Sequence, residues 1–165
     1  MKAILPVLAL ALVFFVPAGA MSDFSTRVLA AQNAERAALK ITPLTWSDTL
    51  AADAAVWAKH LAETGAWAHA DEGIRKGAGE NLWEGTAGAF TPEEMVGGWT
   101  NEKRYYQYGP FPDGGMNGGQ PIGHYTQMIW RNTTEVGCAL ASGGGKDVLV
   151  CRYTPMGNVV GQAPY

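Results

Sequence analysis

The sequence predicts a single α+β domain with a small antiparallel sheet, and three observations carry that prediction. Apolar residues recur at helical spacing over 23–39, 47–65 and 91–106. Two strand-like runs, Val136 to Ala141 and Val148 to Tyr153, flank a glycine-rich turn. The 165 residues are 47% hydrophobic and 16% charged, which supplies one ordinary core and argues against wholesale disorder.

Residues 1–20 have the pattern of a secretory signal. Lys2 provides the positive start, Ala3 to Val16 the apolar run, and Pro17-Ala18-Gly19-Ala20 the small residues of a cleavage site after Ala20. The run is broken by Pro6 and ends at Pro17, short of the roughly 20 apolar residues of a membrane span. The expected organisation is therefore a signal peptide over 1–20 and one domain over 21–165, with no stable membrane insertion after cleavage.

The first helix is predicted over 23–39, capped by Ser22 or Asp23, with Phe24, Val28, Ala31, Glu35 and Leu39 at steps of three or four. A second begins after Ser47, presents Leu50, Ala54, Trp57, Ala58 and Leu61, and stops at Gly65. Residues 66–90 are glycine-rich, with Leu82-Trp83 as part of a short strand. The third helix opens on Thr91-Pro92-Glu93-Glu94, a capping box with proline at the first helical position. Its repeat of Met95, Trp99, Glu102 and Tyr106 puts a carboxylate on an apolar face, where it needs a partner.

Tyr105 to Ile122 is a long loop of glycine, proline and aromatic residues, a length that marks functional loops. His124 to Trp130 is expected as a short helix, and Thr154 to Tyr165 as an irregular tail. In the hairpin, a turn centred between Gly144 and Gly145 sets Cys138 opposite Cys151. Facing residues lie about 4.5–5.5 Å apart, within disulfide reach. Export would put these two cysteines in an oxidising compartment, extracellular or periplasmic, where the bridge persists. Closing so short a loop is worth roughly 3 kcal/mol.

Net charge is −3, with no concentration of Lys and Arg, so nucleic acid is not an expected partner. Four serines lie outside the signal, and none sits in a G-x-S-x-G elbow. A cysteine nucleophile is excluded if the bridge forms. Thr126 is the hydroxyl nearest His124 in sequence, and its expected role is a local hydrogen bond in the short helix.

Of the three histidines, His60 is expected to be a partly exposed helix residue. His69 lies just beyond the second helix, and His124 at the start of the short one, where a neutral ring can bind metal or accept a proton. With Glu80 and Glu102 they make a plausible ligand and supporting set for zinc, although their spacing matches no short metal motif. Asn132-Thr133-Thr134 fits the N-glycosylation pattern, but its favoured reading is an ordinary turn leading into the strand.

The words themselves resemble the CAP superfamily of cysteine-rich secretory proteins, venom antigens and plant pathogenesis-related proteins. Gly123-His124-Tyr125-Thr126-Gln127 resembles one signature, and the run from Cys151 to Gln162 a second. Gly79-Glu80-Asn81-Leu82, Trp99-Thr100-Asn101-Glu102 and Gln32-Asn33-Ala34-Glu35-Arg36 resemble three further words in family order. Gln32 stands where the family usually has His, Met156 replaces a usual Pro, and only one cysteine pair is present where many secreted members have three, as in bacterial-type members.

The resemblance implies a three-layer α-β-α sandwich with a central cleft in which His69, Glu80, Glu102 and His124 meet. It further implies that His69 and His124 bind a divalent metal, zinc above all, with Glu80 and Glu102 orienting the rings. Two protein ligands leave positions for water, so the metal is expected to bind reversibly, to weaken as imidazoles protonate, and not to be essential for folding. The expected function is a secreted ligand-binding module, with a sterol or other lipid as candidate ligand lined by Trp99, Tyr105, Tyr106, Tyr108 and Phe111, or a defence and interaction module. The alternative is a metal-dependent hydrolase or protease using Glu80 and Glu102 as catalytic groups.

Overall fold

The computed structural model describes residues 22–165, so the signal-peptide reading of 1–20 lies outside the described residues. The chain runs α1 (Asp23–Ala38), β1 (Thr45–Trp46), α2 (Asp48–Thr64), α3 (Glu72–Arg75), β2 (Gly79–Thr86), α4 (Pro92–Thr100), β3 (Met116–Asn117), β4 (Gln120–Pro121), α5 (Gly123–Met128), β5 (Glu135–Gly143) and β6 (Lys146–Thr154). The main sheet has the order β1-β5-β6-β2; β3 and β4 form a separate two-stranded ribbon inside the long loop.

The hairpin forms in the expected register. Cys138 pairs with Cys151, Ala139 with Val150 and Leu140 with Leu149, and the two cysteines are bonded with Cα atoms 4.1 Å apart. β2 adds antiparallel to β6 over eight residues, Gly79 to Thr86, well beyond the expected Leu82-Trp83. β1 pairs parallel to β5, so the sheet is mixed rather than wholly antiparallel.

Side chains alternate across this sheet and build two cores. Leu82, Val148 and Val150 pack against Ala54, Ala58, Leu61 and Ala62 of α2. On the opposite face Val136, Cys138, Leu149, Cys151 and Tyr153 pack against Val28 of α1, Met95 and Trp99 of α4, and Tyr125 and Met128 of α5. Helix, sheet and helices thus make three α-β-α layers. Small residues set the spacing: a Cβ on Gly137 would meet the backbone of α2 at Ala51 and Ser47.

The helix boundaries follow their local chemistry. Ser47 caps α2, and Gly65 closes it in the left-handed conformation (φ 69°). Thr91 and Glu94 form the capping box of α4, with Pro92 first in the helix. α4 stops at Thr100, however, and Glu102 lies in the single 3₁₀ turn Asn101–Arg104 that follows. In α1 the buried stripe is Val28, Gln32 and Arg36, while Phe24, Ala31, Glu35 and Leu39 are only half-buried. Phe24, Ala31 and Leu39 pack against the core beside Val28 as expected, and the polar Gln32 and Arg36 join them at its most buried positions, where they find partners. Among the described residues, no helix is long and apolar enough to cross a membrane.

Candidate functional site

His69 stands in the loop after α2, on the α2 side of the sheet end. Its Nδ1 lies 2.6 Å from Oε1 of Glu80, and the same oxygen accepts the backbone N–H of Ala70 at 3.1 Å. Glu80 therefore holds the loop as well as the ring. Its other oxygen, Oε2, is 2.9 Å from Nη2 of Arg152, a side chain 1% exposed. Arg152 follows Cys151 on β6 and pairs with Glu80 in the sheet register, so the ion pair spans two adjacent strands. Burial drives the Arg152 guanidinium below its ordinary value, and the Glu80 carboxylate opposes that shift.

His124 approaches from the other helical layer. Its Nδ1 lies 2.6 Å from Oε1 of Glu102. Oε2 of Glu102 accepts the backbone N–H groups of His124 at 2.9 Å and Tyr125 at 3.0 Å. The first amides of α5 thus face the carboxylate of Glu102 rather than an imidazole, a favourable place for an anion. Trp99 stacks beside the His124 ring, with centroids 6.1 Å apart and planes 16° from parallel. Trp99 is fixed in turn by its indole N–H donating to the Leu82 carbonyl at 2.9 Å.

A carboxylate only accepts, so each Nδ1 carries a proton, and Nε2 is the ring nitrogen left to act as a ligand. His69, Glu80 and His124 line one cleft of about 360 Å3, while Glu102 stands behind His124. Asn81 lies between the two halves: its amide donates to the His124 carbonyl at 3.0 Å and to the Tyr153 hydroxyl at 3.2 Å. Among the described residues, no group of three or more His, Cys, Asp and Glu side chains is placed to hold a metal together. The donor set is two imidazole nitrogens with both carboxylates committed to orientation, which fits a divalent ion completed by water.

The other candidates fall outside this centre. His60 is exposed and stacks on Trp57 at 4.7 Å. Thr126 is fully buried, its hydroxyl within 2.7 Å of Asn158 Oδ1 and 3.0 Å of the Ile122 carbonyl, a structural placement. Of the five aromatic residues suggested for a lipid wall, Phe111 lines the cleft and the others do not. Asn132 is exposed in a turn. Sequence reasoning missed Asn81, Arg152 and Asn158. Asn158 has a left-handed backbone (φ 58°) and donates to the Gly123 carbonyl at 2.8 Å. All three sit inside quoted signature words, but nothing in the words shows what they touch.

The model of the family described as "CAP: Cysteine-rich secretory protein family" matches residues 29–153. The chain belongs to this family. Its CAP domain is 39% identical over 138 residues to Pathogenesis-related protein 1C of Nicotiana tabacum, covering 83% of this chain and 78% of that one. It is 34% identical over 145 residues to Pathogenesis-related protein PR-1 of Medicago truncatula, covering 87% and 80%. Among solved structures, NaASP2 with Zn2+ superposes at a TM-score of 0.77 with 22% identity, over 90% of this chain and 88% of that one. Na-ASP-1 does so with the same score and identity, but this CAP domain spans only 42% of its length. At that identity the two structures establish the three-layer fold alone.

Proposed function

We propose that the cleft binds a divalent cation, zinc by its donor chemistry, through Nε2 of His69 and His124, and that the protein acts as a secreted ligand-binding or defence module. The observation that carries this reading is the matched geometry of two histidines, each with Nδ1 2.6 Å from a carboxylate of its own. Such outer partners fix the tautomer and raise the basicity of the ligating nitrogen. A bound ion would supply Lewis acidity and an anchor for an oxygen ligand in the cleft. The relative of the same fold solved with Zn2+ supports the choice of metal.

Secretion is supported by the leader pattern at 1–20 and by the hairpin disulfide. The commitment of both carboxylates favours binding over hydrolysis. Glu80 is engaged by His69, Ala70 and Arg152, and Glu102 by His124 and two amides, so neither is free to take a proton from water. A sterol or other lipid ligand belongs to the same proposal, with Phe111, Met116 and Pro121 as the apolar side of the cleft.

Calorimetric titration of metal-free protein with Zn2+ tests the metal assignment. One site per chain is expected, weakened at least about tenfold in Glu80→Gln and in Glu102→Gln and lost in His69→Ala/His124→Ala. Equal affinity in the double histidine variant would refute it.

A further inference from the structure

A second hollow, of about 280 Å3, opens beside the histidine cleft. It shares His69, Glu80 and Asn158 with the cleft and adds Arg75, Met156 and Gly157 to its walls. The two are therefore contiguous, with the exposed His69 ring standing between them.

Among the described residues, Arg75 is the one arginine or lysine that lines this hollow. Arg152 lies buried behind Glu80, with Nη2 2.9 Å from Glu80 Oε2 and with Nε and Nη1 without a hydrogen-bond partner among the described residues. Arg75 is close enough for its charge to press on that of Arg152. The one carboxylate among the described residues that lines the hollow is Glu80, already engaged by His69, Ala70 and Arg152. Asp53 is held by Lys76, whose Nζ is 3.0 Å from each of its oxygens.

Arg75 is also held ready. Its Nε donates to the Ala70 carbonyl at 2.9 Å and its Nη1 to the Ala78 carbonyl at 3.4 Å, which leaves Nη2 without a protein partner among the described residues. A guanidinium anchored in this way presents its remaining N–H groups at little further entropic cost. We propose that this hollow is an oxyanion subsite, in which a carboxylate or phosphate group of a ligand pairs with Arg75 while the rest of the ligand passes His69 into the cleft. The anion pairs with the unengaged edge of Arg75, in a partly desolvated setting where such a pair is strong. Met156, 46% exposed, gives the subsite an apolar flank.

The subsite does not depend on a metal at the histidines, and its test is run without one. Protein stripped over a chelating resin is titrated in Tris buffer with inorganic phosphate or with acetate, with sodium chloride holding ionic strength constant. Amide and Arg75 Nε signals are followed by NMR. Saturable shifts are expected at Gly79, Gly157 and Arg75 Nε. Affinity should fall at least about tenfold in Arg75→Gln and be largely kept in Arg75→Lys. Met156→Asp leaves the bonds of Arg75 to the loop carbonyls in place and should weaken binding by charge repulsion, so it decides the matter if Arg75→Gln does not fold. Saturation by phosphate alone assigns a phosphoryl ligand, and by acetate alone a carboxylate. Shifts that do not saturate with either anion, or an affinity unchanged in Arg75→Gln, overturn the proposal.

Discussion

Glu80 and Glu102 hold their histidines at the same 2.6 Å, yet different devices hold the carboxylates themselves. Glu102 rests on two backbone amides, and Glu80 rests on a buried cation. Removing one partner of a buried pair strands the other charge, which costs several kcal/mol, whereas replacing both is often tolerated. Arg152→Met is therefore expected to lower unfolding free energy by about 3 kcal/mol in urea, and Arg152→Met/Glu80→Gln to recover much of it. In ¹⁵N spectra of the imidazoles the single variant should disturb His69 and leave His124 unchanged. Equal disturbance of both rings would mean that Arg152 acts through the fold as a whole.

A surface pair gives a second residue-scale test. Nε and Nη2 of Arg27 on α1 reach the two oxygens of Glu93 on α4 at 2.8 and 2.6 Å. This pairing holds the Glu93 carboxyl at about 2, against an ordinary 4.5. A carboxyl lowered in the folded state stabilises fully above its ordinary value and loses that contribution as pH falls toward its folded value. Glu93→Gln should therefore be the less stable protein at pH 7, with the difference closing between about pH 4.5 and 2 in acid unfolding curves. A constant difference across that window would remove the pair from the acid response.

At the scale of elements, α1 shows why some of the structure was hidden in the sequence. Arg36 is 1% exposed and has four backbone acceptors: the carbonyls of Thr42, Met128, Trp130 and Thr133. It ties α1 to the end of α5, where helix carbonyls favour a cation. One turn earlier, Gln32 accepts from the Tyr153 hydroxyl at 2.8 Å and lies 3.8 Å from the disulfide at Cys138. In the sequence such residues look like a solvent face, because most of the groups that satisfy them lie 92 to 121 positions away. The capping box of α4 and the register of the β5–β6 hairpin were legible for the opposite reason: their determinants are neighbours in the chain. β1 and most of β2 were not, since a strand of two residues or one rich in Gly and Glu takes its form from its partner. Arg36→Ala should cost about 3–5 kcal/mol by denaturant unfolding, because it orphans several buried acceptors at once. Arg36→Lys should recover only part, as an ammonium cannot span the same carbonyls. A loss below about 1 kcal/mol in Arg36→Ala would show that water replaces the guanidinium.

Across the whole molecule, the two histidines arrive from opposite layers: His69 from beyond α2, and His124 from α5 on the far side of the sheet. The four residues named from the family words are placed as two His–Glu pairs, but the route joining the pairs was not legible. It runs through Asn81, which follows Glu80 on β2 and donates to the His124 carbonyl, a contact that only the folded sheet creates. An ion held by one ring from each layer would bind the native state alone, and mass action would add its binding free energy to the fold. The layers are already joined by the two cores on either face of the sheet, so metal-free protein is expected to melt in one cooperative transition. Zinc at a hundredfold excess over its dissociation constant should add about 2.7 kcal/mol, or roughly 5–10 °C in Tm. The exposed His69 has little role in packing, so His69→Ala should leave the metal-free Tm within about 2 °C of the parent while removing the rise with zinc. A rise of equal size in His69→Ala would place the ion elsewhere and leave the two layers joined by protein contacts alone.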